Sequence, residues 1–384
     1  MSIRSFRFPT DIRFGQGSIQ LLPELLKQGG KNKPLLVTDK GLAQLPVCRD
    51  VIALLETAGL SPVLYADAEG NPVETHVSSG VKLYQQQQAD SIIMLGGGCA
   101  IDVGKAIALM VHHSGQLFDY EDDKPGARPI DQDIPLTIAI PTTAGTGSEV
   151  GGSSVISDDK THEKVIVWSP RLIPKHVIAD PVLTIGLPAF MTAATGIDAL
   201  THNIEAFLAK NYHPICDGIA LEGIRLVAEN LEKAVKVPGD LEARSGMLLA
   251  SMMGAIAFQK GLGVTHSCAH ALSTCYDLHH GLANALMIEP CMAFNAEVVP
   301  ERIVRMAKTI GLEGSNQELI GKFNAWLKKL KQAIQIPASL AEYKVEVSDR
   351  LLEVAIKDAC HANNPRPCSK DDFARIFQQA LAGG

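Results

Sequence analysis

Three short stretches between Thr195 and Gly281 carry the residue types that could do chemistry. They are Thr195-Gly196-Ile197-Asp198-Ala199-Leu200-Thr201-His202, Thr265-His266-Ser267-Cys268-Ala269-His270 and Leu278-His279-His280-Gly281. Asp198 and His202 lie four apart in an Ala/Leu/Ile-rich segment that reads as helix, so both project from one face. His266 and His270 repeat that spacing on a second helical segment, and His280 follows after one more turn or loop. A single Asp-x3-His pair is usually an ordinary local hydrogen bond. One carboxylate and several imidazoles converging from separate helices suit a first-row divalent ion such as iron or zinc. Spacing alone does not say which of the five candidates stands outside the ligand set. His279, adjacent to His280, must point elsewhere on a helix or an extended segment. Cys268 reads as a small buried residue rather than a soft ligand.

The elements that must position these residues fall in the second half of the chain. From Pro188 onward there are long helix-period segments and almost no β-branched runs, with breaks near Tyr212-His213-Pro214, Val237-Pro238-Gly239, Gly261 to Gly263 and Ile336-Pro337. The first half has a different texture. Strand-like runs at Lys33–Asp39, Pro62–Tyr65, Asp90–Leu95 and Pro135–Ile140 alternate with helix-like runs at Val47–Ala58, Val73–Gln88 and Ala100–His113. Such alternation predicts parallel strands with crossover helices. Ser153–Ile156 and Lys164–Trp168, separated by a polar turn, predict a hairpin. The 384 residues exceed one comfortable core, and the shift in texture places a boundary near Ile185-Gly186-Leu187-Pro188. The expected organisation is an α/β nucleotide-binding domain over residues 1–185 and an all-helical metal-binding domain over 186–384.

The α/β half has a cofactor end. Gly96-Gly97-Gly98 closes a strand and opens the helix that carries Asp102 and Lys105. Glycine lets the backbone approach a pyrophosphate, and a helix N-terminus supplies free N–H donors. The triple glycine is not the Gly-x-Gly-x2-Gly fingerprint, and tight strand–helix turns use glycine without any ligand. Pro141-Thr142-Thr143-Ala144-Gly145-Thr146-Gly147-Ser148-Glu149 is a second small-residue loop after a strand, where open α/β sheets place their ligands. Asp39, ending the first strong strand, suits an adenosine ribose and would repel a 2′-phosphate; it suits a helix N-cap equally well.

Composition narrows the partners. A net charge of −7 and a pI near 6.0 disfavour nucleic acid and anionic membrane. No stretch reaches ~18 uninterrupted apolar residues, and Met1–Arg7 lacks the apolar run of a signal peptide. Eight cysteines without a Cys-x2-Cys pair predict reduced thiols and a cytoplasmic setting.

Taken together, these stretches resemble the iron-containing (group III) alcohol dehydrogenases. The matching residues are Leu95–Lys105, Pro141–Glu149, Ala193–His202 with Glu205, Gly263–His270 and His280–Ala285, in the family's order and spacing; Asn364-Pro365-Arg366 also looks familial. The resemblance implies an N-terminal α/β dinucleotide-binding domain, an all-helical C-terminal domain in a dehydroquinate synthase-like architecture, and a homodimer. It implies interconversion of a small alcohol and its aldehyde or ketone by hydride transfer with NAD(H). It makes Asp198, His202, His266 and His280 the ligands of Fe2+, with Zn2+ as the alternative ion, and places His270 beside the metal as a proton relay. Asp39 falls on the ribose, Gly97 and Gly98 on the pyrophosphate, and Asn71, Asp102, Thr142, Thr143 and Lys164 along the cofactor path.

Two departures stand out. Cys99 occupies a position that is usually Ser, and Ala271-Leu272-Ser273 replaces Pro-Leu-Gly in a region expected to shape the substrate pocket. The rival on this architecture is a dehydroquinate synthase-like or other metal- and NAD-using lyase. It needs a Lys/Arg cluster for a phosphorylated substrate, whereas Lys210, Arg225, Arg244 and Lys260 are scattered. A metallohydrolase would leave both glycine-rich loops unexplained.

Overall fold

The computed structural model describes residues 10–122 and 124–383; the N-terminal segment Met1–Arg7 read above lies outside them. The described residues divide into two compact units. One comprises 10–143 and 147–184, the other 144–146 and 185–383.

The first unit is built on the strands β1 (Asp11–Phe14), β2 (Pro34–Asp39), β3 (Val63–Ala68), β4 (Ser91–Gly96), β5 (Leu136–Pro141), β6 (Ser153–Ser157), β7 (Lys164–Trp168) and β8 (His176–Ala179). Its helices are α1 (Leu22–Gln28), α2 (Lys40–Ala43), α3 (Pro46–Thr57), α4 (Glu74–Gln87) and α5 (Gly98–His112). Six strands form a wholly parallel sheet in the order β1-β8-β5-β4-β2-β3, and β6 and β7 form a separate antiparallel hairpin. β4 is buried along its whole length, because both faces of a parallel sheet are covered by crossover helices. The chain leaves β2 outward to β3 and returns to β4 on the other side of β2. The topological switch point therefore opens at the carboxyl ends of β2 and β4, beyond Asp39 and Gly96.

The strands β2 to β5 and the hairpin lie where the alternation of segments predicts them. β1 and β8 do not come from that reading. Each is four residues long, and β1 is largely exposed, so neither has room for a periodic signal; β8 is held between β5 and β1, and β1 by β8 alone, Asp11 opposite His176.

The second unit is helical: α6 (Ala189–Leu208), α7 (Pro214–Lys236), α8 (Leu241–Ala257), α9 (Val264–Tyr276), α10 (His280–Ala296), α11 (Pro300–Thr309), α12 (Asn316–Ala333), α13 (Asp349–Lys357) and α14 (Lys370–Ala382). α6 is buried on every side from Thr192 to Leu208, which makes it the axis of the unit. Two glycines let neighbouring helices close on it. A Cβ at Gly254 in α8 would stand 2.8 Å from the His202 Cβ, and one at Gly281 in α10 would stand 2.5 Å from the Ala194 carbonyl. Apolar side chains of α6, α7, α8, α11 and α12 form one core and those of α9, α13 and α14 a second, with α10 contributing a face to each. Among the described residues no single helix is long and apolar enough to cross a membrane.

Candidate metal and cofactor sites

α6 projects Asp198 and His202 from one face, α9 brings His266 from its first turn, and α10 begins at His280. One ligand atom from each of these four side chains lies within 4.8 Å of all the others. The Nε2 atoms of His280, His266 and His202 stand 3.4, 3.8 and 4.0 Å from Asp198 Oδ1. Four donors bound tetrahedrally at about 2.0–2.2 Å would be spaced roughly 3.3–3.6 Å apart, so small adjustments suffice.

The protonation chemistry agrees with that fit. Burial pushes the His202 imidazole down to about 4, which keeps it neutral with a lone pair to offer. Its Nδ1 donates to the Gly145 carbonyl at 3.3 Å, leaving Nε2 free. His266 Nδ1 lies 2.7 Å from Glu205 Oε2. Burial opposes a charge on His266, yet Glu205 and Asp198 together raise its affinity for protons. Glu205 is itself held low despite burial, because it accepts from His266 and from the Thr265 amide. Such a carboxylate behind an imidazole fixes the tautomer and raises ligand basicity. Asn284, one turn into α10 from His280, donates Nδ2 to Asp198 Oδ1 at 2.7 Å. Buried charge and imidazole without such supports would be costly. The donor set fits a divalent first-row ion.

His270 is set apart from these four. Its ring stacks on His280 with centroids 5.2 Å apart and meets His266 edge-on at 6.0 Å, while its Nδ1 points to Asp358 Oδ2 at 2.7 Å. Cys268 lies wholly in the core of α9, where burial first and Cys291 second push its thiol far up, so it is inert. Ala271, Leu272 and Ser273 are buried too, Ala271 and Leu272 in the core and Ser273 donating to the Leu278 carbonyl at 2.9 Å.

Of the expected cofactor residues, Asp39, Gly97, Gly98, Thr142 and Thr143 lie about the switch point, whereas Asn71, Asp102 and Lys164 are tied to the β6–β7 hairpin. Gly96 has φ +149, and a Cβ there would stand 2.8 Å from the Ala100 Cβ, so only glycine makes this turn. Gly97 caps α5, Gly98 begins it, and Thr143 packs against Gly97 closely enough that a Cβ would meet its Cγ2 at 3.1 Å. Thr142 N donates to the Gly96 carbonyl at 3.0 Å. Asp39 divides its carboxylate: Oδ1 caps α2 by accepting from Leu42 N at 2.8 Å, and Oδ2 faces the Gly96 turn, 3.5 Å from where a Cβ would be. The N-cap reading of Asp39 is what the hydrogen bond shows. Cys99 is pushed up to about 12 by burial and then by Asp39, so it offers a thiol and no thiolate.

Asp102 is engaged internally. Its Oδ1 accepts from Ser148 Oγ at 2.5 Å and its Oδ2 from Val155 N at 3.2 Å. Burial raises its pKa, against the pull of Lys105, Ser148 and, more weakly, Lys164. Lys164, at the start of β7, pairs across the hairpin with Ser157, whose amide donates to Pro72 O beside Asn71. Lys105, read only as part of the motif, is the hub: its buried Nζ donates to the carbonyls of Ser148, Gly151 and Ser153 at 2.6–2.8 Å. Glu205, Asn284 and Asp358 are the supports to which the sequence analysis assigned no role. Glu205 and Asn284 had local signals, three residues from His202 and four from His280 on the same helices; Asp358 had none.

The profile described as iron-containing alcohol dehydrogenase matches residues 9–181, and that of the Fe-containing alcohol dehydrogenase family C-terminal region matches residues 192–381. A 1,3-propanediol dehydrogenase of Klebsiella pneumoniae is 36% identical over 391 residues, covering 99% of this chain and all of that one. An NAD-dependent methanol dehydrogenase of Bacillus methanolicus is 34% identical, over 98% of this chain and all of its own. The crystal structure of a 1,3-propanediol oxidoreductase superposes with a TM-score of 0.94 at 35% identity, covering 98% of this chain and all of that one. The conjunction of an α/β nucleotide unit, a helical unit and these matches along both shows that the chain belongs to the iron-containing alcohol dehydrogenase family.

Proposed function

We propose that this protein is an NAD-dependent, iron-containing alcohol dehydrogenase that interconverts a small alcohol and its aldehyde or ketone. The observation that carries the metal half is the approach of three imidazole Nε2 atoms to one oxygen of Asp198. Asp198, His202, His266 and His280 hold Fe2+, and the same donors accept Zn2+. When bound, the ion supplies Lewis acidity at the alcohol oxygen and the nicotinamide supplies the hydride acceptor.

The chain's own residues do the rest. Glu205 and the Gly145 carbonyl keep protons on the outward nitrogens of His266 and His202, so their Nε2 atoms face inward unprotonated. Asn284 holds the Asp198 carboxylate in one orientation. His270, beside the donor set, takes the alcohol proton or returns it. Asp39 binds the adenosine ribose with the oxygen that does not cap α2. Gly97 and Gly98 let the pyrophosphate reach the α5 amides, and Asn71, Thr142, Thr143 and Lys164 line the path beyond. Asp102 serves that path from within, through Ser148 and Val155. Apart from 144–146, which group with the helices and supply the Gly145 carbonyl to His202, residues up to 185 form the cofactor-binding part of this reading and those from 186 the metal-binding part. The lyase alternative gains nothing, since the matched relatives are named as alcohol dehydrogenases.

Both relatives are named for short primary alcohols, which sets the substrate class to test. The test is anaerobic reconstitution with Fe2+ or with Zn2+, followed by NADH oxidation against short aldehydes. A metal-loaded protein that turns over none of them would overturn the reading. A cytoplasmic setting is supported by eight free thiols, and a homodimer by the family resemblance; light scattering on purified protein checks the latter.

A further inference from the structure

The segment after α13 bears no expected metal ligand or cofactor contact, yet it is fastened to the start of α9. Asp358 Oδ1 accepts from Ser267 Oγ at 2.7 Å and from the Cys360 amide at 2.9 Å. Ser267 Oγ accepts in turn from the His361 amide at 2.9 Å. Asn364 Oδ1 accepts from Val264 N at 3.3 Å and from Asn295 Nδ2 at 3.1 Å, which gives the Asn364-Pro365-Arg366 motif a task. These bonds leave Asp358 Oδ2 for one partner, His270 Nδ1, at 2.7 Å. Ser267 and His270 are three apart on α9, so one carboxylate grips one helix face at two points.

We propose that Asp358 is a positioning residue for the reaction: it locks His270 in one orientation with the proton on Nδ1, leaving Nε2 as its basic nitrogen beside the metal ligands. This rests on the reading of His270 as the group that exchanges a proton with substrate. An imidazole free to rotate or change tautomer would present a basic nitrogen only part of the time, and a fixed acceptor removes that loss. The carboxylate stays ionised for the task. Burial would raise its pKa, but His270, Ser267 and the Cys360 amide together hold it well below the usual carboxylate range.

His270, Asp358 and Cys360 also have the makings of a second metal site. The geometry favours the hydrogen bond. A separation of 2.7 Å between Nδ1 and Oδ2 is hydrogen-bond length, shorter than the roughly 3.3 Å between neighbouring donors on a tetrahedral ion.

The experiment compares Asp358→Asn, Asp358→Glu, His270→Ala and the His270→Ala/Asp358→Asn double variant, all Zn2+-loaded, with propanal and NADH as probes. The Asn amide keeps the shape but can donate towards Nδ1, which favours the wrong tautomer. The expected result for Asp358→Asn is a kcat lower by about 10²–10⁴-fold, with metal stoichiometry, NADH affinity and aldehyde KM little changed. Asp358→Glu recovers part of the rate. In the His270→Ala background the Asn substitution costs nothing further, because residues acting as one unit are not additive. The 15N–1H spectrum shows the His270 Nδ1–H of the native protein replaced by Nε2–H. The proposal is overturned if Asp358→Asn is as active as wild type while His270→Ala is slow, if it lowers kcat equally in both backgrounds, or if it removes an equivalent of metal. Full activity of His270→Ala would instead overturn the reading of His270, and the proposal with it.

Discussion

Glu205, buried in the last turn of α6, holds His266 Nδ1 at 2.7 Å and with the same carboxylate accepts the Gly263 and Thr265 amides at 2.9 and 2.6 Å. It is the N-cap that α9 lacks in its own sequence, since Gly263 offers no side chain. One residue therefore starts the second ligand helix and aims its ligand. Glu205→Gln, which can no longer accept at both oxygens, is expected to weaken metal binding by roughly 10–100-fold. A competition titration with a chromogenic chelator reads this directly. An unchanged metal affinity would show that His266 needs no such support.

Asp198→Ala removes the oxygen on which three imidazoles and Asn284 converge, and His266→Ala removes the imidazole at the centre of the stack. Each is expected to abolish turnover and to lower bound iron measured by atomic absorption. NADH binding, assigned to the other unit, should persist in a fluorescence titration. Wild-type iron content in either variant would sink the ligand assignment.

Because Asp39 uses one oxygen as the cap of α2 and turns the other to the glycine turn, two substitutions separate its roles. Asp39→Asn keeps a good cap and removes the charge; Asp39→Gly removes the charge and the side-chain bond. Both should shift the ratio of kcat/KM for NADH over NADPH towards NADPH by roughly ten- to a hundredfold, the worth of one charge near a phosphate in a half-exposed crevice. Only Asp39→Gly should also lower the melting temperature. A ratio untouched by Asp39→Asn would leave Asp39 as a cap and nothing more.

Glu149 is 1% exposed, and burial pushes its carboxyl from the ordinary 4.5 up to about 7. The folded chain therefore keeps a proton on Glu149 across pH 4.5 to 7 that the unfolded chain releases. The native state binds more protons in that window, so its stability falls as pH rises and the contribution is gone above about 7. Glu149→Gln has no such titration. The difference in apparent melting temperature, wild type minus variant, is expected to decline by a few degrees between pH 5 and pH 8. A difference that stays flat, or grows, would contradict the buried-acid assignment.

What the amino-acid order determined by itself is whatever depends on short-range periodicity. The runs ending at Asp39 and Leu95 are strands because they are short, apolar and stopped by turn residues. Asp198 and His202 share a face because a helix returns to the same side every four residues. The glycine at position 96 marks a turn that no Cβ could enter.

The tertiary structure decided what depends on residues far apart in the chain. β1 exists only through β8, more than a hundred and fifty residues later. Spacing left five candidate ligands open; packing sets His270 against Asp358, 88 residues away, and gathers the other three imidazoles around Asp198 Oδ1. Glu205, Asn284 and Lys105 are ordinary polar residues of helices until folding buries them. A buried polar group must then find a partner or cost the fold several kcal/mol, and that partner is chosen by proximity in space, which no local pattern encodes.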